Sequence, residues 1–182
     1  ILGPLLFVLF INDMNEVVEP DTSLLLYADD TKIYREINGH NDHLILQNDI
    51  NALHRWSQTN KMTFHPQKCK VLPVTLKTHS DWQLALPFLE RFPYCLNGLC
   101  LDYVEFEKDL GVLVSSKLSW TKQCELLRSK ASSRLGLLRR TCHFVKNVKQ
   151  KRALYLALVR SQFEHCSVVW SPTSDAGFSL LE

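Results

Sequence analysis

Two carboxylates stand side by side at Asp29 and Asp30, just after Tyr27-Ala28. Adjacent acids repel one another and are costly beside apolar surface, and a divalent cation removes that cost. Magnesium takes one or two protein carboxylates together with substrate phosphates, so the pair suits phosphoryl chemistry. It also suits an ordinary turn, because aspartate favours turns. Neighbouring side chains in a strand point to opposite faces, so both acids reach one site only at or beside a turn. The flanking runs, Thr22 to Tyr27 and Thr31 to Ile37, are short and rich in aliphatic, aromatic and β-branched residues. They predict a β-hairpin with the acids at its tip.

The surrounding elements must hold that tip. Leu5 to Ile11 reads as a buried apolar segment, helix or strand, ending near Asn12-Asp13. After the break at Gly39 to Asp42, with Asn41 or Asp42 as cap, a helix runs to about Trp56. Its apolar stripe is Leu46, Ile50, Leu53 and Trp56, suited to covering a sheet. Lys61 to Val74 reads as a return strand broken at His65-Pro66, and residues 75–93 as an irregular loop or short strands. Tyr94 to Gly98 enters an Asn-Gly turn, with Leu99 to Phe106 as the partner strand. Leu110 to Val114 reads as a further strand in which Gly111 lets something approach the backbone closely. Two basic helices follow, Trp120 to about Arg140 and about Val148 to Phe163. The first has the stripe Leu127, Ala131, Leu135 and Leu138, with Gly136 beside it to permit close packing. On the second, Leu154, Leu158 and Gln162 share a face.

The 182 residues are 46% apolar, enough for one domain with a core, or a domain plus a small satellite. Charge is unevenly placed: residues 1–116 carry a net −6 and residues 117–182 a net +8. An acidic front and a basic back suit a metal site joined to a polyanion-binding surface, or two solvated faces. Six cysteines lack the two-residue spacing of a zinc knuckle or redox motif and read as free intracellular thiols. Cys142-His143 and His165-Cys166 belong to no set of four metal ligands with usual spacing. Residues 1–11 are apolar but too short to span a bilayer and have no basic flank. No targeting signal is visible, so the nucleus or cytoplasm is expected, without membrane attachment.

One order of motifs resembles the reverse transcriptase of non-LTR (LINE-like, jockey or CR1-type) retrotransposons. It runs Ile1-Leu2-Gly3-Pro4-Leu5-Leu6-Phe7, Ile11-Asn12-Asp13, Tyr27-Ala28-Asp29-Asp30-Thr31-Lys32, Lys68-Cys69 and Asp109-Leu110-Gly111-Val112. It continues through Leu118-Ser119-Trp120, Lys130-Ala131, Leu135 to Arg140, Leu154-Tyr155, Leu158-Val159-Arg160 and Val169-Trp170-Ser171-Pro172. The resemblance implies an α+β fold: part of a right-hand polymerase palm (an antiparallel sheet with packed helices) over residues 1–116, then a helical thumb over 117–182. It implies DNA synthesis on an RNA template from a DNA primer, with deoxynucleoside triphosphates and magnesium.

By the same resemblance Asp29 and Asp30 are the catalytic metal ligands, Asp29 the more direct. Tyr27 packs near the primer end, and Lys68 serves the triphosphate or pyrophosphate. Leu110, Gly111 and Val112 form a primer-gripping hairpin. Arg128, Lys130, Arg134, Arg139, Arg140, Lys149, Lys151 and Arg152 contact nucleic-acid phosphates. The family's Pro-Gln-Gly stretch, fingers and other catalytic aspartate precede the part represented by this sequence. The expectation is therefore a truncated piece that partners with that N-terminal region and is inactive alone. His65 and Ser161 stand where the family usually has Asn and Pro. The alternative is a decayed or repurposed module that binds nucleic acid without catalysis.

Overall fold

The computed structural model describes residues 2–75, 92–172 and Ser179. The chain divides into two compact units. One takes the described residues up to Val71 and those from 92 to Asp102; the other takes 72–75 and those from Tyr103 on.

In the first unit, α1 (Leu2–Ile11) leads into a 3-10 turn (Asn12–Val17), then β1 (Ser23–Tyr27) and β2 (Asp30–Tyr34). α2 (His40–Thr59) follows, then a 3-10 turn (Pro66–Lys68) and β3 (Lys70–Val71). β4 (Cys95–Leu96) and β5 (Leu99–Cys100) lie beyond, and the division of the chain falls within β6 (Asp102–Tyr103). The pleat of β1 divides its three leucines between two faces. Leu24 and Leu26 face inward with Ile33 opposite Leu24, while Leu25 and Tyr27 face out. The core joins them to Ile11, Met14, Leu53 and Trp56. The Trp56 indole N–H donates to Asp13 Oδ1 at 3.1 Å, fixing the 3-10 turn to α2.

Hydropathy misleads at α1. It is a helix, but Ile11 is its one buried residue; Leu5 and Leu9 are 60% and 72% exposed. α2 starts two residues early, with Gly39 at its N-cap. Asp42 instead accepts from Asn38 N–H at 3.0 Å from inside the first turn. The expected strand over Lys61–Val74 is reduced to β3, because Pro66 opens a 3-10 turn. Residues 76–91, most of the expected irregular loop, lie outside the described residues.

The β4–β5 hairpin is docked on α2. Gln47 receives Cys95 N–H and donates to Cys95 O, both at 2.8 Å. The buried His43 ring stacks on Tyr94 with centroids 4.2 Å apart. Burial pushes the His43 imidazole below its usual 6.5, a backbone hydrogen bond with Phe92 opposes this, and His40 adds to the lowering.

The second unit holds β7 (Phe106–Asp109) and β8 (Val112–Ser115), then α3 (Thr121–Thr141) and α4 (Val148–Tyr155). A π turn (Leu156–Arg160) continues α4 into α5 (Ser161–Glu164), and α6 (Ser167–Trp170) follows. Val112, Cys124, Leu127 and Trp170 form its core, with Trp120 and Phe163 against them. Gln123, 2% exposed, accepts Leu113 N–H at 2.9 Å and so ties β8 to α3. The expected strand from Leu99 to Phe106 is broken into β5, β6 and the start of β7. The expected strand over Leu110–Val114 begins only at Val112, because Leu110 and Gly111 turn the chain. In the second helix the π turn adds a residue and rotates the face, so Val159 is buried and Leu158 is 39% exposed. Among the described residues, no helix is long and apolar enough to cross a membrane.

Candidate functional site

The acidic hairpin is built as its sequence suggests, with one shift. Tyr27 pairs with Asp30, so the turn is Ala28-Asp29 and Asp30 opens β2. Asp30 therefore lies on the outward face with Tyr27, opposite the side carrying Leu24 and Leu26. Tyr27, Ala28, Asp29 and Asp30 are all exposed. Ala28 has φ +52°, a left-handed conformation that costs a non-glycine residue about 1–2 kcal/mol. Strain of that kind at an exposed acidic tip is the pattern seen where a backbone serves a site rather than its own stability.

The open end of this hairpin is pinned by groups that the motif does not contain. Asp49, on the stripe face of α2 and 3% exposed, accepts from the Thr22 hydroxyl and from Glu19 N–H, the latter at 3.0 Å. Arg35 Nη1 donates to the Thr22 hydroxyl at 3.1 Å, and its guanidinium pairs with Asp21 and Asp42 at 3.7 and 3.8 Å. Asp49 was legible as an anomaly: a carboxylate placed between Leu46, Ile50 and Leu53 on an apolar face needs partners. Beside the turn, Val8, Asn12, Asn15 and Ala28 help line a cleft of about 290 Å³, which brings two amides near the tip, Asn12 from the Ile11-Asn12-Asp13 motif and Asn15, which motif reasoning passed over.

Carboxylates are hard oxygen donors, and two on adjoining exposed residues fit the way magnesium is commonly held. No group of three or more His, Cys, Asp or Glu forms a metal-ligand cluster among the described residues. Lys68 ends the exposed 3-10 turn rather than lying on a strand, and its N–H donates to His65 O at 2.9 Å. No ion pair joins it to Asp29 or Asp30 among the described residues. Its neighbour Lys70 pairs with Asp102.

In the second unit, Leu110 (φ +44°) and Gly111 (φ +93°) close the β7–β8 hairpin. What approaches Gly111 is His165. A Cβ on residue 111 would stand 3.0 Å from His165 Nε2, and that nitrogen donates to Leu110 O at 3.0 Å. Val112 is 5% exposed and belongs to the core, whereas Leu110 and Gly111 are exposed. Arg128, Lys130, Arg134, Arg139, Arg140, Lys149, Lys151 and Arg152 are all exposed. At ~100° per residue, Arg128 and Arg139 share one side of α3, Lys130 and Arg134 another, and Arg140 points away from the core. The positive charge on α3 is spread around the helix. Gly136 shows no close packing: a Cβ placed there would meet only the Arg140 side chain of its own helix, at 3.5 Å.

Residues 1–127 match the family model described as reverse transcriptase (RNA-dependent DNA polymerase). No curated protein and no solved structure matches the chain.

Proposed function

Because the chain belongs to the reverse transcriptase family, with a match over residues 1–127 of 182, we propose that it serves RNA-directed DNA synthesis of the non-LTR retrotransposon type. The observation that carries this reading is the exposed Asp29-Asp30 tip on a hairpin whose open end is fixed through Asp49, Thr22 and Arg35. In this reading residues 1–116 act as part of a palm and 117–182 as a thumb. Asp29 and Asp30 hold magnesium, with Asp29 the nearer ligand. Bound magnesium supplies activation of the primer 3′ hydroxyl and neutralises charge on the leaving pyrophosphate. Tyr27, on the face of Asp30, packs against the primer end, and Lys68 approaches the triphosphate of the incoming deoxynucleotide. Leu110 and Gly111 present backbone to the primer, with Val112 anchoring their hairpin. The eight basic residues of α3 and α4 meet phosphates of the RNA template and DNA primer, giving salt-dependent binding indifferent to sequence.

Primer extension on an RNA template tests this. In a complete polymerase that carries this chain, Asp29→Ala lowers extension at least ~100-fold while template binding stays within about twofold, as expected for a group used in the chemical step. Undiminished extension in the variant overturns the assignment. A second reading, a nucleic-acid-binding module without catalysis, draws on the two-carboxylate donor set and the eight exposed basic side chains. It is favoured if the wild-type chain binds template-primer and extends nothing even when the rest of a polymerase is supplied.

A further inference from the structure

Cys95 and Cys100 face each other across the β4–β5 hairpin. Turn length dictates how close they come. A two-residue turn closes on a hydrogen-bonded pair, here Leu96 and Leu99, so the next pair outward is non-hydrogen-bonded, the kind whose Cα atoms lie only ~4.5 Å apart. The backbone agrees. Cys95 gives its N–H and C=O to Gln47 rather than to Cys100, and one pair further out Leu101 N–H donates to Tyr94 O at 2.8 Å. Asn97 and Gly98 both have positive φ, the turn chemistry that fixes this register. The two sulfurs stand 3.1 Å apart. Both thiols are free, Cys100 exposed and Cys95 half-buried.

We infer that Cys95 and Cys100 form a reversible modification site: a paired dithiol that reacts with a small-molecule disulfide of the glutathione class and closes to an intrachain disulfide. Cys100, the accessible member, attacks as its thiolate; the S–S bond of the small disulfide breaks, and one small thiolate leaves and takes up a proton. Cys95 then loses its proton to solvent and attacks the Cys100 sulfur, expelling the second small thiol. Two protein thiols are oxidised by two electrons, and one small disulfide is reduced to two thiols. The hydrogen bond with Cys100, and then burial, holds the Cys95 thiol above its ordinary range, which leaves the first attack to Cys100. A bond at so close-set and exposed a pair, closing so short a loop, is of the readily reversed kind. Once formed, it fastens β5 directly to the strand that Gln47 already holds on α2.

The test is to incubate the full chain in buffers of reduced and oxidised glutathione, block remaining thiols, and read intact mass and peptide maps. The expected result is the loss of two hydrogens, protection of two of the six thiols, a Cys95–Cys100 linkage, and recovery with excess reduced glutathione. Cys95→Ser should arrest the reaction as a stable glutathione adduct at Cys100. Cys100→Ser should slow glutathione uptake at Cys95 by about tenfold or more, since access and thiolate fraction set the rate. A wild-type chain that stops at the mixed disulfide, a linkage mapped to another cysteine pair, or a Cys100→Ser variant that reacts as fast as wild type overturns the proposal.

Discussion

The turn at Ala28-Asp29 and the turn at Leu110-Gly111 share a two-residue plan, yet their surroundings are opposite. At Leu110-Gly111 the strained backbone, though exposed, has a partner: His165 lies beside Gly111 and bonds Leu110 O. At Ala28-Asp29 the strained residue is an alanine on an exposed tip, and what holds the hairpin lies at its other end. The Asn97-Gly98 turn shows what an unstrained choice looks like, with two residues that tolerate positive φ. One turn is stabilised by what packs on it, and the other leaves its tip free to meet something else.

The comparison can be broken at several points. Asp49→Ala removes the acceptor for two hydrogen bonds in a buried setting. A loss of ~3 kcal/mol is expected, since bonds to a charged group are worth ~1.5–3 each. Urea unfolding measures it, and hydrogen exchange should show β1 and β2 opening first. Unchanged stability would mean that the hairpin is held by its apolar face alone. Gly111→Ala combines positive φ with a Cβ only 3.0 Å from His165 Nε2. It should cost ~2 kcal/mol. Adding His165→Ala should restore only the steric part, and a double variant as stable as wild type would deny the backbone strain. Ala28→Gly should act in the opposite direction, gaining ~0.5–1 kcal/mol as relief of left-handed strain outweighs added unfolded-state entropy. A loss of stability there would show that the tip is not strained.

The smallest effect is pH-dependent. With its pKa lowered in the folded chain, His43 binds fewer protons folded than unfolded. Its contribution is therefore full above pH 6.5 and is lost as pH falls from there through the depressed value. Among the described residues, His40 and Tyr94 are titratable groups stacked beside it. His43→Phe should flatten the dependence of urea unfolding on pH between neutral and mildly acidic buffers, while an equal slope in the variant would assign it elsewhere.

What could be read from the residues was whatever a short local pattern dictates. Two short runs rich in aliphatic, aromatic and β-branched residues around the acid pair set the acidic hairpin, helical spacing of Leu46, Ile50, Leu53 and Trp56 set α2, and Asn97-Gly98 set its turn. What escaped depends on neighbours distant in the chain. Leu110 adopts a conformation leucine disfavours because His165, 55 residues later, holds its carbonyl. Leu158 yields the buried face to Val159 because a π turn breaks the period on which the reading relied. α1 has the composition of a core element and lies mostly at the surface. For the candidate site, the acids were legible as a motif. Asp49 and Arg35 were not, because a supporting residue has no motif, only a place where its chemistry is out of keeping.

Fixing the hairpin at Thr22 and Arg35, with Leu24, Leu26 and Ile33 bedded on the core, makes it a lever that carries movement of α2 to its tip. Five residues of strand reach about 17 Å from base to tip. A tilt of roughly 4° at the base therefore swings the acids by about 1 Å, a misplacement that position-sensitive chemistry can answer with a ~100-fold loss of rate. Leverage of this kind gives a change on α2, far from either acid, a route to the tip that needs no unfolding at all.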